Sequence, residues 1–452
     1  MADALEKSRD MKRSAKTAYA SHVALITLFA ASILVPTAAK TLRYDPVAFS
    51  ENRVLAALPA PPTSIEALKA WPDQFDKFCD DHFGLRNTLI YAHNLIRREK
   101  LRVSSDDVLI GKNGWLYYSG QWMVDDYLGR KPMQPDELQR FRMMLEYKQM
   151  WLEKRGIHFL FVVVPEKHAV YPENLPDNVL RFGAVSRRQR LINYIEQNSD
   201  IDTLDLTDFL TKNKNQGLLY YPVDFHWTAR GKLLGCQEIC RQMQDWFPDI
   251  DVCGMDDFTP VERPEWGGLI RELGLHRWSG LPFEGLIPKE HKGIVFEGAD
   301  FPKDFRWNAL WDQRAWTQPK STNCKGKSAR MLLFGDSMMS AGLDGQALMP
   351  FARSFSHCLF VQIRPDLALQ KAASWPGGFN GDSPMSRPDF DDYVALVNSE
   401  HPDVVIEEWT ERSLTDPQVD PRWHWTRVPF GPVTQHPEAP RVLAGEAEPA
   451  PY

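Results

Sequence analysis

The chain has no excess of basic charge: 53 Lys and Arg stand against 60 Asp and Glu, a formal net charge of −7 over 452 residues. A protein that grips nucleic acid usually shows the opposite balance, so nucleic acid is not an expected partner. None of the six cysteines (Cys79, Cys236, Cys240, Cys253, Cys324 and Cys358) stands in a Cys-x-x-Cys pair, which argues against a structural zinc ribbon or a thioredoxin-type redox motif. One or two disulfides in an exported chain and buried free thiols both remain open. No internal repeat is present. Tryptophan, by contrast, is abundant at 15 residues. Trp266, Trp278, Trp307, Trp311, Trp316, Trp375, Trp423 and Trp425 fall in polar, loop-like contexts. Flat aromatic faces there suit the C–H side of a sugar ring, although large aromatics equally fill cores.

Long apolar runs are also scarce, with one exception. Lys7, Arg9, Lys12, Arg13 and Lys16 precede an uncharged stretch from Thr17 to Ala39 whose centre, Val23 to Val35, is strongly apolar. A span of about 20 residues crosses a bilayer as a helix, and flanking basic charge holds its own end in the cytoplasm. Residues 1–17 are therefore expected as a cytoplasmic N-terminus and 18–39 as a single-pass transmembrane signal anchor, with the remainder exported across that membrane. A cleaved signal peptide, ending at the small residues Thr37-Ala38-Ala39, would export the same part.

Residues 40–105 read as a proline-containing stem followed by helices. Leu68, Trp71, Phe75 and Phe78 give Ile65 to Asp81 a helical period, and Leu89 to Leu101 resembles a second helix. Val108 to Tyr118 has the pattern of a hairpin around Lys112-Asn113-Gly114, where Asn-Gly tolerates positive φ. From 106 to 415 strands and helices then alternate. Helices are expected at Pro135 to Arg155, Val185 to Gln197, Arg230 to Trp246, Gly345 to Phe355 and Asp389 to Ser399. Strands are expected at His158 to Val164, Asp202 to Leu206, Arg330 to Phe334 and Asp403 to Glu407. Continuous apolar runs such as His-Phe-Leu-Phe-Val-Val-Val belong to strands buried on both faces of a parallel sheet. The alternation predicts a three-layer α/β domain. Asp256 to Lys327, rich in Trp, Gly and Pro, reads as an irregular excursion or lid, and 416–452 as an extended or disordered tail.

Two motifs carry chemistry. Met331-Leu332-Leu333-Phe334-Gly335-Asp336-Ser337 is an apolar strand ending in Gly-Asp-Ser. It places Ser337 at a sheet's carboxyl edge, where α/β folds bind ligands, although a helix N-cap would also use a serine there. Tyr221-Pro222-Val223-Asp224-Phe225-His226-Trp227-Thr228 contains Asp-x-His. Serine needs an adjacent base to become a nucleophile. Imidazole is that base, and a carboxylate on its other nitrogen fixes the tautomer. Ser337, His226 and Asp224 are thus the candidate nucleophile, base and orienting group. No third His or carboxylate stands at ligand spacing, so neither a metal nor another cofactor is expected. Lys167, after the strand ending at Val164, and Trp409, after the final strand, are candidate substrate contacts; a solvated loop and an interior aromatic are their alternatives. Asp336 is expected to brace its turn rather than act as an acid.

Asp224-Phe225-His226-Trp227 together with Gly335-Asp336-Ser337 resembles the SGNH-hydrolase-like proteins of the alginate O-acetyltransferase family. Glu51-Asn52-Arg53, Asp81-His82-Phe83-Gly84-Leu85-Arg86, Ile110 to Tyr117, Val164 to Pro172, Pro402 to Ile406 and Glu411-Arg412 extend the likeness over Glu51 to Ser413. The resemblance implies a flavodoxin-like SGNH domain, circularly permuted because the Asp-His element precedes the Ser element. It also implies transfer of acetyl groups through Ser337 to hydroxyls of an exported polysaccharide, as in alginate biosynthesis. The donor would be relayed by a partner of the membrane-bound O-acyltransferase class. The chain departs from the family at Phe225, where a small hydroxyl residue is usual, and at Met338, where a more aromatic one is. The Gly and Asn oxyanion blocks of ordinary SGNH enzymes are not obvious in the sequence, and the Ser337 amide and Arg364 are the candidate oxyanion donors. The same residues would serve a periplasmic carbohydrate esterase or deacetylase, and a non-catalytic polysaccharide-binding scaffold is the rival from another class.

Overall fold

The computed structural model describes residues 2–47, 55–97, 107–120, 122–179, 181, 185–264, 267–273, 275, 282–289, 294–298, 320–324, 326–340, 348–362 and 390–414. The chain divides into two compact units, Met1–Arg102 and Val103–Tyr452. In the first, helix α1 (Ala2–Thr41) is followed by α2 (Ile65–Asp81) and α3 (Arg86–Ile96). Within α1, Thr17–Thr41 is long and apolar enough to cross a membrane. The Ser64 hydroxyl accepts from the Ala67 amide and starts α2, the role for which N-cap serines are favoured.

The second unit opens with the hairpin β1 (Val108–Ile110) and β2 (Leu116–Tyr118). Its turn places Asn113 at φ 53° and Gly114 at φ 80°, the left-handed region that Asn-Gly reaches at low cost. Helices α4 (Met123–Tyr127) and α5 (Pro135–Glu153) lead to β3 (His158–Val164), α6 (Lys167–Val170), α7 (Arg187–Asn198), β4 (Thr203–Asp205), α8 (Thr207–Lys212) and α9 (Ala229–Gln242). There follow β5 (Phe258–Pro264), α10 (Gly268–Glu272), β6 (Pro282–Pro288), β7 (Ile294–Gly298) and β8 (Lys320–Cys324). The chain then forms β9 (Arg330–Gly335), α11 (Ser337–Ser340), β10 (His357–Gln362), α12 (Phe390–Glu400) and β11 (Val404–Thr410).

Seven strands form one sheet in the order β4-β3-β11-β9-β10-β8-β7. The first five run parallel; β8 and β7 close one edge antiparallel. Because side chains alternate across a strand, each parallel strand feeds two cores. Leu160, Val162, Val164, Met331, Leu333 and Ile406 meet Trp227 and the apolar side of α9 on one face. Phe159, Phe161, Val163, Leu332, Phe334 and Val405 meet α5, α7 and α12 on the other. This sandwiching explains why these strands read as unbroken apolar runs.

Three expectations need correction. Asp256 to Lys327 is not irregular throughout: β5 and β6 pair as a ribbon, and β7 with β8 extends the main sheet. Pro260, Pro264, Pro282 and Pro288 lie in the two-stranded ribbon, where proline costs a strand fewer ladder bonds than it would in the sheet interior. Leu348 to Ser354 forms turns rather than the end of a helix. Strand β10 was not anticipated from sequence. All six cysteines are free, four of them buried, so the buried-thiol alternative holds. The eight loop tryptophans, Arg364 and the tail 416–452 lie outside the described residues.

Candidate active site

The five parallel strands deliver their carboxyl ends to one edge: Ser337 follows β9, Lys167 follows β3 and Arg412 follows β11. The Asp-x-His loop arrives from between α8 and α9. Tyr220 and Trp227 form an isolated bridge, and Tyr221 N donates to His226 O at 3.2 Å, so Asp224 to His226 is the tip of a tight loop. Asp224 Oδ1 lies 2.7 Å from His226 Nδ1 and accepts the His226 amide at 2.8 Å. Its other oxygen accepts the Gly268 amide. A Cβ on Gly268 would lie 2.8 Å from the Phe225 ring and 3.0 Å from the Asp224 carboxylate, so a larger residue would have to displace the ring or the carboxylate. Burial opposes charge on Asp224. The facing His226 and the hydrogen bonds from its imidazole and from the Gly268 and His226 amides outweigh it, and they hold the carboxyl far below its ordinary range.

His226 Nε2, the nitrogen left for chemistry, is buried and has no hydrogen-bond partner among the described residues. An unmet buried polar atom costs about 1–3 kcal/mol, a cost that functional sites commonly carry.

Ser337 opens α11, and the cap of that helix is its neighbour: Asp336 Oδ1 accepts the Met338 amide at 2.8 Å. The other Asp336 oxygen accepts the Thr410 amide at 3.2 Å and the Thr410 hydroxyl. Asp336 therefore braces the turn, as expected, and the capping role is not left to Ser337. Two side chains from the His segment reach the carbonyls of this short helix. Trp227 Nε1 donates to Met338 O at 2.7 Å, and Lys232 Nζ to Met339 O at 2.5 Å. The residue after the base is thus bonded to the residue after the serine, which ties two stretches more than a hundred positions apart.

Lys167 and Trp409 are placed differently from the expectation that they meet substrate. Lys167 is buried, with its ammonium on the carbonyls of Tyr221, Pro222 and Asp224. Trp409 points to the opposite face of the sheet, where it packs edge-on to Phe141 and Phe161. A strand that sends residue 408 to one face must send 409 to the other. Arg412 is held by Glu166 at 2.6 Å in an ion pair that is mostly buried rather than at the surface. Its guanidinium stands 4.4 Å from the centre of the Phe225 ring, which lies 4.2 Å from that of His226.

Sequence reasoning missed Glu408. Its carboxyl is buried and accepts the Asp336 amide at 3.0 Å. A sequence signal existed, since Glu407 and Glu408 interrupt a strand buried on both faces. Burial, reinforced by the Asp336 carboxylate, raises the Glu408 pKa well above the ordinary value and favours its protonated form. A carboxyl raised on folding contributes stability that is complete below its unfolded pKa and is lost as pH rises toward the folded one. Glu408→Gln, which cannot ionise, is expected to lose less melting temperature than wild type as pH rises above the unfolded carboxyl pKa of about 4. Equal slopes in the two proteins would show Glu408 to be ionised throughout.

Residues 108–283 match the family model described as SGNH hydrolase-like domain, acetyltransferase AlgX; the match holds Asp224 and His226 and ends before Ser337. The second unit thus carries an SGNH-hydrolase-like α/β fold. Among curated relatives, the chain is 25% identical to the probable alginate O-acetylase AlgJ of Pseudomonas aeruginosa over 192 residues, covering 40% of this chain and 44% of that protein. It is 23% identical to the AlgJ of Pseudomonas syringae pv. tomato over 169 residues, covering 37% and 41%. The chain spans less than half the length of either. Solved structures similar to it include the O-acetyltransferase domain of Pseudomonas putida AlgJ, with 17% identity, a TM-score of 0.42 and coverage of 71% and 98%. Bacillus cereus PatB1 is another, with 15% identity, a TM-score of 0.46 and coverage of 69% and 98%. The family model and the AlgJ relatives support an alginate O-acetyltransferase-like family for this chain.

Proposed function

We propose that the chain is a membrane-anchored, periplasmic O-acetyltransferase that passes an acetyl group through Ser337 to hydroxyls of a polysaccharide. The donor would be supplied by a membrane-bound acyltransferase partner. The observation that carries this reading is the Asp224–His226 pair with Nε2 unengaged, joined through Trp227 to the helix that Ser337 opens. His226 Nε2 takes the Ser337 proton as Oγ attacks the acetyl carbonyl, and the imidazolium returns it to the departing oxygen of the donor. A sugar hydroxyl then gives its proton to Nε2, attacks the acetyl-serine ester, and Ser337 Oγ recovers the proton. Asp336 holds the Met338 amide, which leaves the Ser337 amide as the main-chain donor for the oxyanion.

The strand order supports a permuted sheet. Counted from β9 in the chain sequence β9, β10, β11, β3, β4, the spatial order read from β10 is the 2-1-3-4-5 of flavodoxin-like folds. The span Thr17–Thr41 supports anchoring, and the names of the AlgJ relatives favour a polysaccharide acceptor. Mass spectrometry after exposure to a simple acetyl ester tests the reading: one acetyl group is expected on Ser337. A chain that stays unmodified, or is modified elsewhere only, refutes it.

A further inference from the structure

We propose that Lys167 is a positioning residue for the catalytic base, fixing the Asp224–His226 loop by binding three of its backbone carbonyls through one ammonium group. The inference rests on the acyl-transfer reading above. Lys167 is the first residue of α6, three positions beyond Val164 at the end of β3, and it is 2% exposed. Its Nζ lies 2.8 Å from Tyr221 O, 3.0 Å from Pro222 O and 2.6 Å from Asp224 O. The rings of Trp115 and Tyr117 stand 5.6 and 5.2 Å away and complete an aromatic cage.

Three carbonyls converging on one nitrogen specify its chemistry. An ammonium has three N–H groups and no lone pair. A neutral amine has two and would turn its lone pair toward the third oxygen. A guanidinium is a planar fork that cannot meet three acceptors around a point. Asp224 is therefore gripped from both ends. Lys167 holds its carbonyl, while the Gly268 amide and His226 hold its carboxylate. The peptide between them is fixed at both ends, so the carboxylate stays aimed at His226 Nδ1. The charges around the ammonium are Asp224 and Glu166, and Glu166 is itself bound to Arg412. Burial nevertheless lowers the Lys167 pKa to about 7.

The test uses the full chain and single-turnover acetylation of Ser337 by 4-nitrophenyl acetate. Lys167→Met keeps the stem between Trp115 and Tyr117 and removes all three donors. The acylation rate is expected to fall about 100-fold, the scale of an ångström-sized misplacement of a catalytic group, with the ester concentration for half-maximal rate unchanged. Lys167→Ala is expected to regain rate with added ethylammonium or propylammonium. It should not respond to tetramethylammonium, which carries the same charge without an N–H. Wild-type rates in Lys167→Met, equal rescue by tetramethylammonium, or a loss of rate matched in every variant by loss of the melting transition would each overturn the proposal. If wild-type Ser337 takes up no acetyl group, the acyl-transfer reading itself fails and this inference with it. If wild type is acetylated and Lys167→Met is acetylated as fast, only this inference fails.

Discussion

Ser337→Ala is expected to remove acetyl transfer to polymer and leave the melting transition in place. Deleting the nucleophile of a serine triad costs on the order of 10⁶ in turnover, with only the binding and oxyanion contributions remaining. The fold has little reason to respond. Ser337 is half-buried, and the cap of α11 comes from Asp336, whose carboxylate binds the Met338 amide and Thr410. Alanine is also the better helix former by about 0.5 kcal/mol. Polymer acetylation and thermal unfolding measured on the same preparation decide the matter. Acetate still appearing on polymer would mean that Ser337 is not the acyl carrier. A scaffold that only binds polysaccharide would also survive this substitution, so transfer and polymer binding are best measured together.

Asp224→Asn is expected to lower the rate of Ser337 acylation by about 10³–10⁴, the effect of giving a triad histidine the wrong tautomer. Asparagine can present its NH₂ to Nδ1, which places the imidazole proton on Nε2, where it cannot accept from serine. It also loosens the loop. The carboxylate receives the His226 amide and ring on one oxygen and the Gly268 amide on the other, and the asparagine side chain offers only one oxygen acceptor. The pH signature follows from the same contacts. Against burial, His226 and the amides depress the Asp224 pKa far below its ordinary value. A depressed carboxyl contributes stability that is present above its unfolded pKa, about 4, and is lost as pH falls toward the folded value. Wild type should therefore lose its advantage over Asp224→Asn only in acid. A stability difference that persisted unchanged into strong acid would mean that Asp224 is not held as a carboxylate.

Much of the frame was legible because it rests on short-range rules. His158 to Val164 matches β3 residue for residue, since a strand covered on both faces accommodates the six apolar side chains from Phe159 to Val164 in a row. The helix expected from Pro135 ends at Glu153, two residues early, because its last turn is closed by local bonds from Lys154 and Arg155. Strand β10, in contrast, is six residues long and carries a His and a Gln at its ends. Nothing local separates such a piece from a loop until β9 and β8 lie on either side of it. The ribbon β5–β6 was hidden for a related reason, as its four prolines argue against a strand except where one side needs no ladder partner. Glu408 was missed and Lys167 misread because their surroundings come from distant segments: Glu408 from Asp336, and Lys167 from the carbonyls of 221, 222 and 224.

By itself the sequence determined the alternation of strands and helices, the apolar helix near the N-terminus, and the coupling of Asp224 to His226. Each depends on residues within a few positions of one another. Only the tertiary structure decided that Trp227 bonds to Met338, that Lys167 turns inward to hold the loop, and that Trp409 faces away from the site. The physical reason is that hydrogen-bond partners and the face of a sheet are set by what packs alongside, and the hydrogen-bond partners of Lys167 and Trp227 lie 54 to 111 positions away along the chain.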